Sequence, residues 1–425
     1  MTALNDEPRK RALSPAFDVA VIGICSLAYL LDGIVFSIMG PLAPDIAASL
    51  TLSNAQLGPI FSASLAGQCF GLILFPLIAN RTGHRIVVIG TLAGSGLFQG
   101  LCAMANTADQ LLLLRLVTGF FLGGSLPSCL AMVTAAAPPH RRGLAITVLF
   151  TGYALGSTAA GLLSGIFLHL GGWRTAMVAV GGLCVLSAAA SWHWLRDLPI
   201  EQDSKPGAPR GMIGDVLSLL ARPYLIGTLS LWTLFIAMLT LSYCLNSWLP
   251  IMLVQLGHEP SFAALAISIF SFGGIIAALG VGLLIDRFGA TRVLVLFLGV
   301  AAVLLFVIGR VLGTASPAML LGLLIVCGFF ALGAYGGVNV VLASFYPGPT
   351  RALGIGVTKS VGRIGTVIAP VLVGIALSSG MAEQTVMSLF ALPAALAATA
   401  LLVIAASNRA NVATDSRVAT EARES

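Results

Sequence analysis

Charged residues are the class that this sequence has least of. They make up only 9% of the 425 residues, whereas 58% of the residues are hydrophobic. A soluble domain carries about a quarter charged residues, so a chain of this length has too few charges to cover the surface of two or three soluble domains. The mean hydropathy of +1.00 is correspondingly high. The composition therefore predicts a protein embedded in a membrane.

The sequence also lacks the patterns of a cleaved signal peptide, a metal site and a catalytic centre. The polar N-terminus carries Arg9, Lys10 and Arg11 and leads into an apolar run that is too long for a signal-peptide core. Paired carboxylates, histidine–metal clusters and activated nucleophiles are absent. The cysteines lie in apolar segments without metal-ligand or disulfide spacing: Cys25, Cys69, Cys102, Cys129, Cys184, Cys244 and Cys327. We therefore expect no metal, no cofactor and no enzymatic activity.

Long apolar segments, by contrast, are abundant. Crossing the hydrocarbon core of a bilayer takes about 20 apolar residues in a helix. The segments of that length predict an all-α membrane protein with twelve transmembrane helices in two six-helix bundles. We number them spans 1 to 12: 17–39, 54–79, 86–105, 110–135, 143–169, 175–195, 224–252, 261–285, 293–312, 318–345, 352–378 and 385–406.

The longest polar interruption between the spans divides them into six and six. It carries Glu201, Asp203, Lys205 and Arg210. This division predicts an N-terminal tail, a first bundle, a central loop, a second bundle and a C-terminal tail. Their boundaries are 1–16, 17–195, 196–223, 224–406 and 407–425.

The basic residues indicate the orientation of the chain. Lys and Arg are retained on the cytoplasmic side of a membrane, and most of the 22 Lys and Arg residues fall in segments that face the cytoplasm if the N-terminus is inside. Arg174 lies in a predicted external loop and Arg310 near a predicted external helix end. Both termini are therefore predicted to be cytoplasmic, in a bacterial inner membrane. The net charge of +6 then indicates topology and not nucleic-acid binding.

An internal repeat relates the two bundles. Asn80-Arg81-Thr82-Gly83-His84-Arg85 follows span 2, and Asp286-Arg287-Phe288-Gly289-Ala290-Thr291-Arg292 follows span 8. Spans 5 and 11 also align. At one and the same offset, Gly156 matches Gly365 and Gly165 matches Gly374. Two repeated bundles are typical of transporters that rock around a site at the membrane midplane. A channel or a membrane enzyme has no particular need for such a duplication.

The turn after span 8, with Gly282, Asp286, Arg287, Gly289 and Arg292, resembles the signature turn of the major facilitator superfamily. Within that superfamily, the chain is similar to the aromatic acid:proton symporter family over nearly its whole length. The stretches that carry this resemblance are Leu31-Asp32-Gly33, Arg115-Leu116-Val117-Thr118-Gly119 followed by Gly123, Gly124 and Pro127, Leu245-Asn246-Ser247-Trp248-Leu249-Pro250, and Tyr346-Pro347 with Arg351 to Gly365. The resemblance implies the superfamily's fold and the transport of an aromatic acid with protons.

The chain departs from that family at several positions. The family has a second aspartate in span 1 where this chain has Val35, and a Trp early in span 11 where this chain has Val357. Its first cytoplasmic turn has Gly and Asp where this chain has Pro76 and Asn80. The substrate and the proton coupling of that family therefore cannot be assigned to this chain without change.

Two cations within span 11 predict an anion site. Lys359 and Arg363 are four residues apart and share one helix face, and a charge at the bilayer centre costs about 2.5–3.5 kcal/mol on insertion scales. Asp32 is the one acid deep in the spans, so the cavity is expected to be positive and to take an organic anion, which the guanidinium fork binds. The alternatives are that Arg363 pairs with Asp32 or helix carbonyls, and that Lys359 snorkels to the surface.

Asp32 is the candidate for proton coupling. Burial and nearby cations act in opposite directions on the proton affinity of a carboxyl group, so a carboxylate that alternates between them can load and release a proton. The alternative is a gate salt bridge without proton chemistry. Arg115 resembles the family's span 4 arginine, for which proton transfer, substrate binding and helix bracing all remain open.

Polar and aromatic residues within the spans are further candidates for substrate contacts, because a polar group in lipid must find a partner. For each aromatic residue taken singly, packing remains an alternative. Together with Arg363, Lys359 and Arg115, the predicted binding set comprises Asn246, Tyr335, Tyr243, Trp248 and Asn339.

The basic turns are predicted to form a cytoplasmic gate, because their charges can bridge neighbouring helix ends. The predicted gate residues are Asp286, Arg287, Arg292, Asn80, Arg81 and Arg85.

Proton-coupled uptake of an aromatic carboxylate by a monomer, with the lipid bilayer as its surroundings, is the leading expectation. An efflux antiporter is one alternative, although such antiporters usually carry a Gly-Pro pair in span 5 and the stretch from Gly152 to Gly165 has no proline. A non-transporting anion sensor is another, and it would need a signalling domain that residues 196–223 are too short to form.

Overall fold

The computed structural model describes the backbone of residues 15–138, 141–195, 219–220, 224–346 and 348–424. Within those ranges, it leaves out the side chains of residues 15–18, 279, 348–352 and 408–424. The predicted N-terminal tail 1–16 and central loop 196–223 thus lie almost wholly outside the described residues. The boundaries assigned to the five regions stay predictions.

The described part of the chain is helical and contains no strand. Its helices are long and apolar enough for 12 membrane crossings, which confirms the predicted fold class. The helices are α1 (Pro15–Ser37), α2 (Met39–Leu50), α3 (Asn54–Thr82), α4 (His84–Leu101), α5 (Ala108–Ala136), α6 (Arg142–Leu170), α7 (Gly172–Trp194), α8 (Leu225–Gln255), α9 (Pro260–Phe288), α10 (Ala290–Val311), α11 (Pro317–Phe345), α12 (Gly348–Ser378), α13 (Glu383–Leu389) and α14 (Ala391–Glu424). We call α1–α7 the first half and α8–α14 the second half.

The first membrane crossing is longer than the predicted span 17–39. Its helix is interrupted only at Ile38 and continues as α2 to Leu50. Pro41 lies in the first turn of α2, where a missing N–H is tolerated, and Ile38 N still donates to Ile34 O at 2.9 Å across the break. The predicted span therefore ended too early.

The last crossing also extends beyond its predicted span, 385–406. It begins with the short helix α13 at Glu383, and α14 continues the backbone as a helix to Glu424. The predicted C-terminal tail, 407–425, is therefore helical in its described part. A hydropathy pattern marks where the apolar residues end, and a polar helix can continue past that point.

Two tight turns at equivalent places in the halves show that the repeat in the sequence is also a repeat in the structure. Gly83 separates α3 from α4 with φ of 89°, and Gly289 separates α9 from α10 with φ of 85°. A positive φ of this size favours glycine, which has no Cβ to clash. These turns carry Arg81, Arg85 and Arg287, and we call the end of the molecule where they lie the basic end and the other the far end.

Within each half, glycines allow two helices to cross closely. A Cβ on Gly119 of α5 would collide with the backbone of Ser64 in α3, and one on Gly328 of α11 would collide with Phe270 in α9. Small residues permit such close backbone approach in membranes. Gly119 thus allows α5 and α3 to pack closely, and Gly328 does the same for α11 and α9 in the second half.

The halves contact one another near the far end. The pairs that pack across the halves are α3 with α12, α6 with α9, and α2 with α8 and α9. In the first pair, Ser62 Oγ donates to Val367 O at 2.6 Å. In the second pair, Ser268 Oγ donates to Thr158 O at 3.0 Å. These residues lie in the parts of their helices that approach the far end.

The buried apolar core follows the same division. One large cluster includes residues of both halves, such as Phe61 of α3 and Trp248 of α8. Towards the basic end it gives way to two separate clusters. One contains Phe75 and Ala79 of the first half, and the other contains Phe345 of the second half. The described halves are thus joined by a common core at the far end and have separate cores at the basic end.

Candidate functional site

Two polar side chains meet across the two halves near the membrane midplane. Gln68 lies near the middle of α3, and Arg363 lies near the middle of α12. Arg363 Nη1 donates a hydrogen bond to Gln68 Oε1, with a distance of 2.7 Å between the two atoms. The guanidinium group predicted to bind an anion therefore lies between the halves.

Lys359 accompanies Arg363 on the face of α12 that turns toward the first half. The two cations lie within electrostatic range of each other. Arg363 is half-buried, whereas Lys359, one turn closer to the basic end, is exposed. Like charges in one place raise each other's energy, so this pair attracts anions.

Asp32 is buried in the first half, with only 3% of its surface exposed. It lies near the middle of the first crossing, and Ser125 of α5 is its polar neighbour. Neither of its carboxylate oxygens has a hydrogen-bond partner among the described residues. Since Arg363 donates to Gln68 instead, the alternative in which Asp32 and Arg363 pair directly is absent from this conformation.

Four tyrosines lie between Asp32 and Arg363. Tyr29 and Tyr153 of the first half pack with tilted rings whose centroids are 4.9 Å apart, and both lie within electrostatic range of Asp32. Tyr243 and Tyr335 of the second half lie within electrostatic range of Arg363. None of the four hydroxyl groups donates a hydrogen bond within the described residues. The path from the acid to the guanidinium is therefore aromatic and carries free hydroxyl groups.

One ring contact in this region crosses between the halves. Phe36 of α1 meets Tyr243 of α8 edge to face, with centroids 5.1 Å apart. Aromatic pairs in this geometry contribute about 0.5–1.5 kcal/mol beyond their buried area. The aromatic lining is thus continuous from one half to the other.

Arg115 lies elsewhere, inside the first half. It is 1% exposed, and its Nη1 donates to Gln99 Oε1 at 2.8 Å and to Val35 O at 3.4 Å. Gln99 in turn contacts Met177 Sδ at 2.8 Å. These contacts connect α1, α4, α5 and α7, which favours helix bracing over substrate contact for Arg115. Val35, the position where the related family has an acid, offers only its carbonyl group.

The remaining predicted binding residues have different positions. Trp248 is fully buried near the far end and packs edge to face on Phe61, with centroids 5.4 Å apart. The half-buried Asn246 lies where α8 contacts Gly40 of α2. Asn339 Nδ2 donates to Tyr335 O of its own helix at 3.1 Å. Trp248 and Asn246 therefore belong to the contact at the far end, and Asn339 is next to the tyrosine lining.

The predicted gate residues lie at the basic end. Asn80, Arg81, Asp286, Arg287 and Arg292 are exposed. The Arg287 guanidinium lies 5.2 Å from the ring centroid of Phe288, its neighbour in sequence.

Arg85 is the gate candidate with the most defined contacts. Its Nη2 donates to Trp192 O at 2.7 Å, and its guanidinium lies 4.9 Å from the Trp192 ring centroid. Both partners belong to the first half. Among the residues that the structure describes, no ion pair joins the gate candidates across the halves.

Sequence reasoning missed Gln68 and Tyr29 and left Tyr153 out of the binding set. Gln68 is an amide inside an apolar helix, which is the same signal that pointed to Asn246. Tyr29 lies one helical turn before Asp32 on the same helix. In the described ranges, no group of three or more His, Cys, Asp or Glu side chains has the arrangement of a metal site.

Comparison with known proteins identifies the family. The sequence matches the Major Facilitator Superfamily over residues 25–259 and again over 231–423. The chain belongs to this superfamily. The fold that the turn after span 8 implied is thereby confirmed.

Curated relatives cover nearly the whole chain. The 4-hydroxybenzoate transporter PcaK of Pseudomonas putida is 29% identical, over 94% of each chain. The gallate transporter of Pseudomonas putida is 29% identical, over 91% of this chain and 92% of its own. The 3-(3-hydroxy-phenyl)propionate transporter of Escherichia coli K12 is 32% identical, over 92% of this chain and 94% of its own. These relatives are transporters and not enzymes, as expected for this chain.

Solved structures share the fold at low sequence identity. A bacterial homologue of the human lysosomal transporter Spinster superposes with a TM-score of 0.73 at 19% identity, covering 92% of this chain and 97% of that chain. A D-xylose-proton symporter superposes with a TM-score of 0.73 at 16% identity, covering 90% of this chain and 97% of that chain. The chain is a multi-pass membrane transporter.

Proposed function

We propose that the protein takes up an aromatic carboxylate together with protons. The observation that carries this proposal is Arg363, a guanidinium at the midplane between the halves, which is neutralised by no acid among the described residues. A cation inside the membrane without a counter-ion is costly, and a bound carboxylate lowers that cost through charge-assisted hydrogen bonds.

The tyrosine lining supports an aromatic substrate. Flat aromatic rings stack or meet edge to face on one another, and the free hydroxyl groups of Tyr29, Tyr153, Tyr243 and Tyr335 offer hydrogen bonds to ring substituents. The relatives named above transport 4-hydroxybenzoate, gallate and a hydroxyphenylpropionate according to their names. Each of these molecules combines an aromatic ring, a carboxylate and at least one hydroxyl group.

In this proposal the protein lies in a bacterial inner membrane, and its basic end faces the cytoplasm. Both termini are then cytoplasmic. The working unit is a monomer. The chain then has an inward-open conformation, because its halves share a core at the far end and have separate cores at the basic end. The exposure of Lys359, one turn from Arg363 toward that end, is consistent with access from the cytoplasm.

Transport requires the opposite conformation as well. Closing the basic end would bring Asp286, Arg287 and Arg292 toward the first half, where they could make the predicted gate contacts. Opening the far end would break the bonds of Ser62 and Ser268 to the opposite halves. Substrate would then reach Arg363 from outside.

Asp32 serves as the proton carrier in the proposed cycle. Its carboxylate oxygens are buried and have no hydrogen-bond partner among the described residues, which leaves them available to a proton. A change of conformation that admits water or brings a cation nearer favours release of the proton. Because Val35 stands where the related family has a second acid, Asp32 is the one acid near the middle of the first crossing.

Counterflow in proteoliposomes tests the substrate class. Vesicles loaded with unlabelled 4-hydroxybenzoate are mixed with labelled 4-hydroxybenzoate and with one competitor at a time. We expect benzoate and gallate to compete, and benzamide, which lacks the charge, to compete at least about tenfold less well, as the loss of a charge-assisted bond implies. Equal competition by benzamide would contradict an anion site, and equal competition by cyclohexanecarboxylate would contradict an aromatic one.

A further inference from the structure

Gln68 is the polar side chain that the first half contributes next to Arg363. Its helix, α3, and the helix of Arg363, α12, belong to different halves. The bond between Arg363 Nη1 and Gln68 Oε1 is therefore a direct link between the halves, and it lies near the middle of both helices.

The neutrality of Gln68 determines what this link can do. A carboxylate in the same place would form a forked ion pair with Arg363 and neutralise it. An amide oxygen accepts one hydrogen bond and leaves the positive charge in place. Gln68 thus orients the guanidinium without removing its attraction for an anion.

Both side chains keep donors unused. A guanidinium group has five N–H donors and an amide group has two, and in the described residues Arg363 uses one of its donors, on Gln68, while Gln68 Nε2 has no acceptor. Gln68 is half-buried, so part of its surface remains accessible. The amide nitrogen of Gln68 shares a carbon atom with the Oε1 that accepts from Arg363, so a ligand bound to the guanidinium group is close to both side chains.

We propose that Gln68 is a substrate-binding residue whose amide group donates to the substrate carboxylate while Arg363 donates to the same carboxylate. The inference rests on the proposed anion transport and adds the partner that the first half supplies to that site. One carboxylate held in this way contacts both halves at once. Binding of the substrate is thereby linked to the relative position of the halves, as a rocking carrier requires.

The chain offers a matched control for this residue. Gln255 of α8 also makes an amide hydrogen bond between the halves, from its Nε2 to Asn54 Oδ1 at 3.1 Å. That bond is exposed at the far end, away from Arg363. Gln68→Leu and Gln255→Leu each remove one such bond, but only the first removes it at the anion site.

The test is titration calorimetry of the purified full-length protein with 4-hydroxybenzoate. We expect the Kd to rise about tenfold in Gln68→Leu, as the loss of one hydrogen bond to a charged group implies. Gln68→Glu should raise the Kd further, because its carboxylate neutralises Arg363 and repels the anion. Gln255→Leu should stay within about twofold of the wild type.

A second pair of variants checks that Gln68 acts with Arg363. In the Arg363→Ala background, adding Gln68→Leu should change the Kd by less than about twofold, since the effects of residues that share one ligand group are not additive.

The thermal midpoint of each variant is recorded to check that it folds. Gln68→Asn, which keeps an amide group, replaces Gln68→Leu if that variant does not fold, and an increased Kd is again expected.

The possible failures are distinguishable. If the wild type binds 4-hydroxybenzoate and Gln68→Leu binds it equally or more tightly, the role of Gln68 is overturned, while the proposed transport stands. If the wild type binds neither 4-hydroxybenzoate nor benzoate nor gallate, the proposed transport fails, and the role of Gln68 fails with it.

Discussion

At the scale of single residues, the function depends on two charges within the membrane-spanning helices that do not neutralise each other. Asp32 has no hydrogen-bond partner among the described residues, and Arg363 is held by the neutral Gln68. Either charge alone is costly within a membrane. A bound anion and a bound proton are the two additions that would lower that cost.

Removal of the guanidinium group is expected to weaken anion binding strongly. A hydrogen bond to a charged group contributes about 1.5–3 kcal/mol, so Arg363→Ala should raise the Kd for 4-hydroxybenzoate at least about tenfold in calorimetry. Arg363→Lys should recover only part of the loss, because an ammonium group lacks the planar fork. Arg310→Ala is the matched control, since Arg310 is exposed and lies 5.4 Å from the ring of Phe306. Normal binding by Arg363→Ala would exclude the proposed site.

Neutralising Asp32 is expected to abolish the accumulation of substrate while the exchange of substrate continues. Asp32→Asn cannot lose or gain the proton, so it should show no accumulation driven by a pH gradient while counterflow exchange continues. Both rates are measured in the same proteoliposomes. Asp109→Asn, at an exposed acid in the first turn of α5, should behave like the wild type. If Asp32→Asn loses both activities, Asp32 has a structural or binding role instead.

The sequence was sufficient to find these two charges, because a charge inside an apolar segment stands out. Gln68 was missed since an amide is less conspicuous, and its importance depends on Arg363 of a distant helix. The contacts of Arg115 could not be predicted from the sequence either. Its partners Gln99 and Val35 come from two other helices, and only packing places them together.

At the scale of helices, close crossings at glycine hold each half together. The hydropathy of the chain predicted all 12 membrane crossings of the described residues, but it ended the first one before most of α2. A proline near a break is compatible with a continuing helix when neighbouring carbonyls find other donors. Such compensation depends on local geometry and is not visible in a hydropathy pattern.

Adding a methyl group where two helices of the first half pack closely should lower the stability of that half. Gly119→Ala adds a Cβ where α5 meets the backbone of α3, and overpacking of this kind costs about 1–3 kcal/mol. We expect a lower thermal midpoint in a fluorescence unfolding assay. Gly90→Ala, in α4, is the control because its Cβ meets nothing within 4 Å. Equal midpoints for the two variants would show that the crossing tolerates a wider separation.

At the scale of the whole molecule, the halves share one core at the far end and have separate cores at the basic end. The repeat in sequence predicted two halves, yet it carried no information on which end is closed. That property depends on contacts such as those of Ser62 and Trp248, which join segments far apart in the chain. The conformation is therefore a result of the structure alone.

Locking the far end should stop transport. Asn54 and Gln255 meet side chain to side chain across the halves, so Asn54→Cys with Gln255→Cys can be joined by a short bifunctional thiol reagent. We expect the cross-linked protein to lose counterflow activity, because the far end cannot open. Each single cysteine variant treated in the same way should remain active. Full activity after complete cross-linking would show that this end does not open during transport.

The central claim is that the protein couples entry of an aromatic anion to entry of protons. The measurement that tests it most directly is the accumulation of labelled 4-hydroxybenzoate in proteoliposomes with an imposed pH gradient, acidic on the outside. We predict accumulation above the equilibrium level that collapses when a protonophore is added. Uptake that reaches the same level with and without the gradient would contradict the claim.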